Sequence, residues 1–126
     1  MNPGFRNTMG KFLCLAAIIS FGAHAWAEDS ALPGKWVRPD GGYELHVQEI
    51  QPDSTATVTY HNPSPIRIGE ARLEEKDGKP TLFVRFDDPA KGYPGSTYNL
   101  TLQDGILSGT YFQAPSKQTF DIVFVR

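Results

Sequence analysis

Tyrosine dominates what this chain offers to chemistry. Tyr43, Tyr60, Tyr98 and Tyr111 each fall in a different run of alternating apolar and polar residues, and Arg38, Gln113 and Gln118 stand close to the ends of such runs. A phenol joins an apolar ring to a hydroxyl that needs a partner, and a guanidinium adds a planar, permanently charged donor. Such a set suits recognition by stacking and hydrogen bonding.

Residue types that would support catalysis are poorly spaced. Glu74-Glu75 and Asp87-Asp88 are sequence neighbours, which on a strand point to opposite faces and cannot work as an acid and base pair. Ser96, Ser108 and Ser116 have no histidine on the same inner surface to activate them. His46 and His61 fall on the outer face of one hairpin with Glu44 opposite His61, and two imidazoles with a carboxylate can ligate zinc or iron. They are diagonal, exposed and without neighbours to orient them, so the expectation is a solvated face. Asn99-Leu100-Thr101 matches a glycosylation sequon by chance. No catalytic residue, metal or cofactor is expected.

The elements that must carry the tyrosines are strands. Gly34 to Arg38, Tyr43 to Ile50, Ser54 to His61, Ile68 to Glu75, Thr81 to Asp87, Ser96 to Gln103, Ile106 to Gln113 and Gln118 to Val125 each read as one, and no helical period occurs. Asp77-Gly78 and Asp104-Gly105 mark tight hairpin turns, while Asn62-Pro63-Ser64-Pro65 breaks the pattern. Symmetric closure of each hairpin pairs Trp36 with Leu45, Val47 with Val58, Leu73 with Leu82, Tyr98 with Tyr111, and Leu107 with both Leu102 and Phe124. A slip of one residue would oppose apolar to polar throughout, so this register is the expected one. On the outer face it sets Glu70 opposite Arg85.

The expected fold is therefore all-β, an eight-stranded antiparallel up-and-down meander. An even meander can close on itself and remove its edges, which favours a closed or nearly closed small barrel, with a β-sandwich as the alternative. Gly109, between Leu100 and Ile122, is expected to make room for larger neighbours in a narrow interior.

Residues 1–27 read as a secretory signal peptide. Arg6 and Lys11 flank the apolar run Phe12 to Phe21, and Ala25-Trp26-Ala27 supplies a small-x-small cleavage pattern. The run is too short to span a bilayer, so no membrane insertion is expected after cleavage. Cleavage leaves 99 of the 126 residues, a loose N-terminal tail over 28–33, and one small domain over 34–126. It also removes Cys14, the single cysteine, and with it any disulfide or thiolate site. The 12 basic residues fall to 10 against 14 acidic ones, a net charge of −4. A mildly acidic surface without a basic run argues against nucleic acid as a partner. The expected location is periplasmic or secreted, in a bacterium.

Following the meander up and down sorts the inward residues to two ends. One end gathers Val47, Val58, Leu73, Leu82, Leu102, Leu107 and Phe124 and is plugged with hydrocarbon. The other gathers the longer loops with Arg38, Tyr43, Tyr60, Phe86, Tyr98, Tyr111, Gln113, Gln118 and Phe120. That mouth is the expected ligand site, for a small molecule, glycan or peptide. The alternative is a protein-interaction or inhibitor domain working through loops 62–65 and 88–95, whose prolines pre-order them.

Tyr60 to Ile66, Tyr93 to Tyr98, Leu107 to Ala114 and the ending Phe120 to Arg126 resemble a group of small exported bacterial proteins of unknown function. More distantly, Leu32-Pro33-Gly34-Lys35-Trp36 and Leu107-Ser108-Gly109-Thr110-Tyr111 look like the Gly-x-Trp opening and the Leu-x-Gly-x-Tyr strand of the lipocalin and avidin barrels. That likeness implies ligand capture in a barrel mouth, with Tyr111 facing the ligand.

Overall fold

The structure is a computed structural model that describes residues 31–126, so the expected signal peptide and residues 28–30 lie outside the described residues. The described residues form nine antiparallel strands: β1 (Gly34–Val37), β2 (Glu44–Ile50), β3 (Ala56–His61), β4 (Pro65–Ile66), β5 (Ile68–Lys76), β6 (Lys79–Asp88), β7 (Tyr93–Gln103), β8 (Ile106–Gln113) and β9 (Gln118–Phe124). A 3-10 turn, Pro89–Lys91, lies between β6 and β7. Among the described residues no helix is long and apolar enough to cross a membrane.

Local chemistry sets the hairpins. At Asp77-Gly78 and Asp104-Gly105 both residues have positive φ, 54° and 74° in one and 54° and 76° in the other, as a type I′ turn requires. Every cross-strand pair expected from turn symmetry is present: Trp36 with Leu45, Val47 with Val58, Leu73 with Leu82, Tyr98 with Tyr111, and Leu107 with both Leu102 and Phe124. Glu70 faces Arg85 on the outer side, at 3.7 Å between charged atoms.

The closed eight-stranded barrel is corrected to two sheets, β1-β2-β3-β4 and β5-β6-β7-β8-β9, in a sandwich-like arrangement. They touch edge to edge through isolated bridges. Val37 and Val125 exchange hydrogen bonds of 2.7 and 2.8 Å at one seam, and the Leu73 amide donates to the Ser54 carbonyl at 2.7 Å at the other. Prolines account for the failure to close. Pro39 follows the first bridge and has no N–H to extend it, and β4, which holds Pro65, is held to two residues between β3 and β5. That two-residue strand is the ninth, which the Pro-rich break at 62–65 concealed.

The core lies between the sheets. Trp36, Leu45 and Tyr60 from the first meet Leu82, Phe86, Tyr98, Leu107 and Phe124 from the second, all of them buried. The expected loose tail is corrected at Leu32, which is fully buried within this core. Its carbonyl accepts a 2.9 Å hydrogen bond from Trp36 Nε1. The Arg126 guanidinium stacks 4.1 Å from the Trp36 ring centroid and donates to the carbonyls of Ala31 and Pro33, so Arg126 and the segment before β1 clamp each other.

Gly109 is required for a reason other than interior volume. A Cβ there would collide with the main-chain carbonyl of Asn99 on β7, so β8 lies too close to its neighbour for any side chain.

Candidate functional site

The loop-bearing end of the sandwich is built on a register row. Tyr98 on β7 pairs with Tyr111 on β8, which pairs with Phe120 on β9, while Leu45 on β2 pairs with Tyr60 on β3 across the core. Arg38 leaves β1 just where the chain turns. Its amide donates to the Tyr43 carbonyl at 3.1 Å, closing the 39–42 loop and aiming its side chain inward.

The polar groups then form one chain. Arg38 Nε and Nη2 grip both carboxylate oxygens of Asp40 at 2.9 and 2.6 Å, and Nη1 donates to the Tyr98 hydroxyl at 2.9 Å. The Tyr98 and Tyr60 hydroxyls share a further bond of 2.8 Å. Asp40 is the solvent end of the chain, and Tyr60 and Tyr98, at 1 % and 0 % exposed, are its buried end. Rings pack around it: Tyr60 lies 4.8 Å from Phe86 between centroids, Tyr98 lies 4.7 Å from Tyr111 and 5.3 Å from Phe124, and Tyr43 stacks on Tyr60 at 6.4 Å. The Arg38 guanidinium also covers the Tyr43 ring at 4.2 Å.

Electrostatics follow burial. Desolvation pushes the Tyr98 phenol up to about 12, against the opposing pull of the Tyr60 hydrogen bond and the Arg38 charge. Burial also drives the Tyr60 and Tyr111 phenols upward. Burial by itself would lower the Arg38 guanidinium, but its hydrogen bonds to Asp40 and Tyr98 raise it on balance. The hydrogen bonds from Arg38 hold the Asp40 carboxyl below the ordinary aspartate value.

Of the seven residues named from sequence, Arg38, Tyr43, Tyr60, Tyr98 and Tyr111 come together in this way. Gln113 and Gln118 pair with each other at the rim but stand outside the network. Gln113 Oε1 accepts from Ser116 Oγ at 2.6 Å, and Gln118 is exposed. Phe120, expected inside, is 43 % exposed, because no strand covers β9 at that level.

Two contributors escaped the sequence reading. Tyr93 packs against Phe86 at 5.1 Å between centroids, and its hydroxyl accepts from Asn62 Nδ2 at 2.5 Å. A register shift between β6 and β7, with Gly95 at φ 86°, turns Tyr93 inward against the alternation that Ser96, Tyr98 and Leu100 follow. The Tyr93-Pro94-Gly95 turn residues were the available signal. Ser96 is fully buried and accepts the Ala114 amide at 3.0 Å, tying the β8–β9 loop to β7.

Loops 62–65 and 88–95 are fastened to each other. Besides the Asn62–Tyr93 bond, Lys91 Nζ donates to the Pro65 carbonyl at 2.7 Å, and just beyond the first loop the Arg67 amide donates to Asp88 Oδ2 at 3.0 Å.

On the outer face, His46 and His61 lie 5.9 Å apart between ring centroids, and His46 Nε2 sits 3.3 Å from Glu44. Among the described residues no group of three or more histidine, cysteine, aspartate or glutamate side chains is arranged to hold a metal ion. An open notch of about 510 Å³ lies at the β1–β9 seam, lined by Pro39, Asp40, Gly109, Asp121, Ile122 and Val123 among others.

Among known proteins, no family model, curated protein or solved structure matches this chain.

Proposed function

We propose that the chain is an exported, non-enzymatic binding module that takes a glycan or peptide on the aromatic rim of its loop-bearing end. The observation that carries this reading is the pairing of a filled interior with an open rim. Tyr60 and Tyr98 spend their hydroxyls on each other and on Arg38, whereas Phe120 stands 43 % exposed in the same register row as buried Tyr111. A ligand seated there meets ring faces held rigidly from beneath, so little ordering entropy opposes binding. Deep enclosure of a small molecule is disfavoured, because Phe86, Tyr60 and Tyr98 occupy the space it would need.

Arrays of oligosaccharides and short peptides probed with residues 28–126 test it. Phe120→Ala removes an exposed ring and should abolish any binding found while leaving the unfolding free energy within about 0.5 kcal/mol of the parent. Undiminished binding by that variant would defeat the reading.

A second reading, a protein-interaction or inhibitor domain, is favoured by the two hydrogen bonds that join loops 62–65 and 88–95 into one surface, Asn62 to Tyr93 and Lys91 to Pro65. Asn62→Ala and Lys91→Ala together should release the loops and weaken that interaction without touching binding at Phe120.

A further inference from the structure

The last strand is paired on one side only. β9 follows β8 over its whole length, but on its other side it meets β1 at a single point, the reciprocal bond between Val125 and Val37. In an antiparallel ladder the N–H and C=O of one residue point to the same side, and alternate residues point to opposite sides. Since Val125 turns toward β1, Val123, Asp121 and Thr119 turn the same way. The ladder cannot reach them. The residue that would face Val123 is Pro39, which has no N–H, and the chain then folds back through the Arg38–Tyr43 hydrogen bond.

The result is a gap with β-sheet edge along one wall. It coincides with the open notch of about 510 Å³ between Pro39–Asp40 and Asp121–Val123. Val123 beside it is 41 % exposed and Phe120 43 % exposed. Long edges of this kind are commonly blunted by charges, proline or a bulge, and Gln118–Phe124 holds a single charge, Asp121, and neither proline nor bulge.

We propose that the β9 edge at Thr119, Asp121 and Val123 is a strand-addition site for an extended segment of another polypeptide. The segment lies antiparallel to β9, taking up the line that β1 abandons at Pro39, over about five residues or roughly 17 Å. It carries a lysine or arginine opposite Asp121, because the Asp121 carboxylate is exposed and makes no ion pair among the described residues, whereas Asp40 is already held by Arg38. A second copy of this chain is a poorer occupant. Two β9 edges paired about the centre of the free stretch would set one Asp121 directly against the other.

Random peptides displayed on phage and selected on residues 28–126 supply the probe. The expected selection is for extended sequences with β-branched residues at alternate positions and a basic residue at a fixed place. On adding a selected peptide, amide hydrogen exchange at Thr119, Asp121 and Val123 should slow at least tenfold, with the intervening amides unchanged. Val123→Pro deletes an N–H that the fold does not use and should abolish peptide binding with the native amide spectrum retained. Asp121→Lys should redirect the selection from basic to acidic residues, and Phe120→Ala, which tests the rim, should leave the edge protection in place. The proposal is overturned if no such peptide is recovered, if the three amides exchange as before, or if Val123→Pro binds equally well. Self-association of the peptide-free chain that Val123→Pro abolishes would overturn it too, by giving the edge to a second copy.

Discussion

Arg38 reaches across the sandwich to Tyr98. Its Nη1 donates at 2.9 Å to a hydroxyl 60 positions away, joining the end of β1 in one sheet to the middle of β7 in the other. The guanidinium is held along another edge by Asp40, through Nε and Nη2. The same contact ties the interior phenols to a charge at the surface.

Tyr98→Phe removes the acceptor of Arg38 and the partner of Tyr60 together, leaving two buried polar groups short of a bond. The expected loss is about 1–3 kcal/mol in denaturant unfolding. In a double-mutant cycle with Arg38→Met the two losses should not add, since each substitution breaks the same bond.

The raised phenols define a window of alkaline instability. Below the ordinary tyrosine value of 10.0 the Tyr98 phenol is protonated in folded and unfolded chains alike, and it contributes its full share of stability. Between there and about 12 the unfolded chain binds fewer protons than the folded one, so stability falls as pH rises through that interval. Phenolate absorbance should show Tyr60 and Tyr98 ionising only as the near-ultraviolet dichroism of the native core disappears. Reversible ionisation of all five tyrosines in the folded state would contradict this.

Gly109→Ala drives a methyl group into the Asn99 carbonyl, where no flexible side chain can yield. Separation of β7 from β8 is the only relief, and a loss of about 3 kcal/mol or more is expected in thermal or urea unfolding.

Leu32→Ala empties a fully buried site beside Trp36 and should cost about 2–5 kcal/mol, a large share of the stability of a domain this small. Truncation beyond Leu32 should be at least as damaging, and comparison of urea midpoints for the two variants measures the contribution of the clamp between Arg126 and the segment before β1.

The site was legible in part, and the reason differs from residue to residue. Tyr60, Tyr98 and Tyr111 fell on inward positions of regular strands, where a period of two fixes the face once a tight turn fixes the register. Tyr93 was hidden because the bulge at Gly95 reverses the alternation on one strand only. Leu32 was read as tail because a single leucine before a proline and a glycine carries no period, although its burial follows from the core space left beside Trp36. Gln113 and Gln118 kept the right register, but at the last rung of a hairpin an inward position opens to solvent.

By itself the sequence determined eight of the nine strands, their hairpin register and the division into an aliphatic end and an aromatic end, because these depend on neighbours in the chain: a turn, an alternation and a pair of facing residues. Only the tertiary structure decided that the meander parts into two sheets, that Arg38, Tyr98 and Tyr60 satisfy one another, and that the edge of β9 stays open. Those outcomes depend on how two distant edges meet, where Pro39 withholds one hydrogen bond donor and the ladder stops.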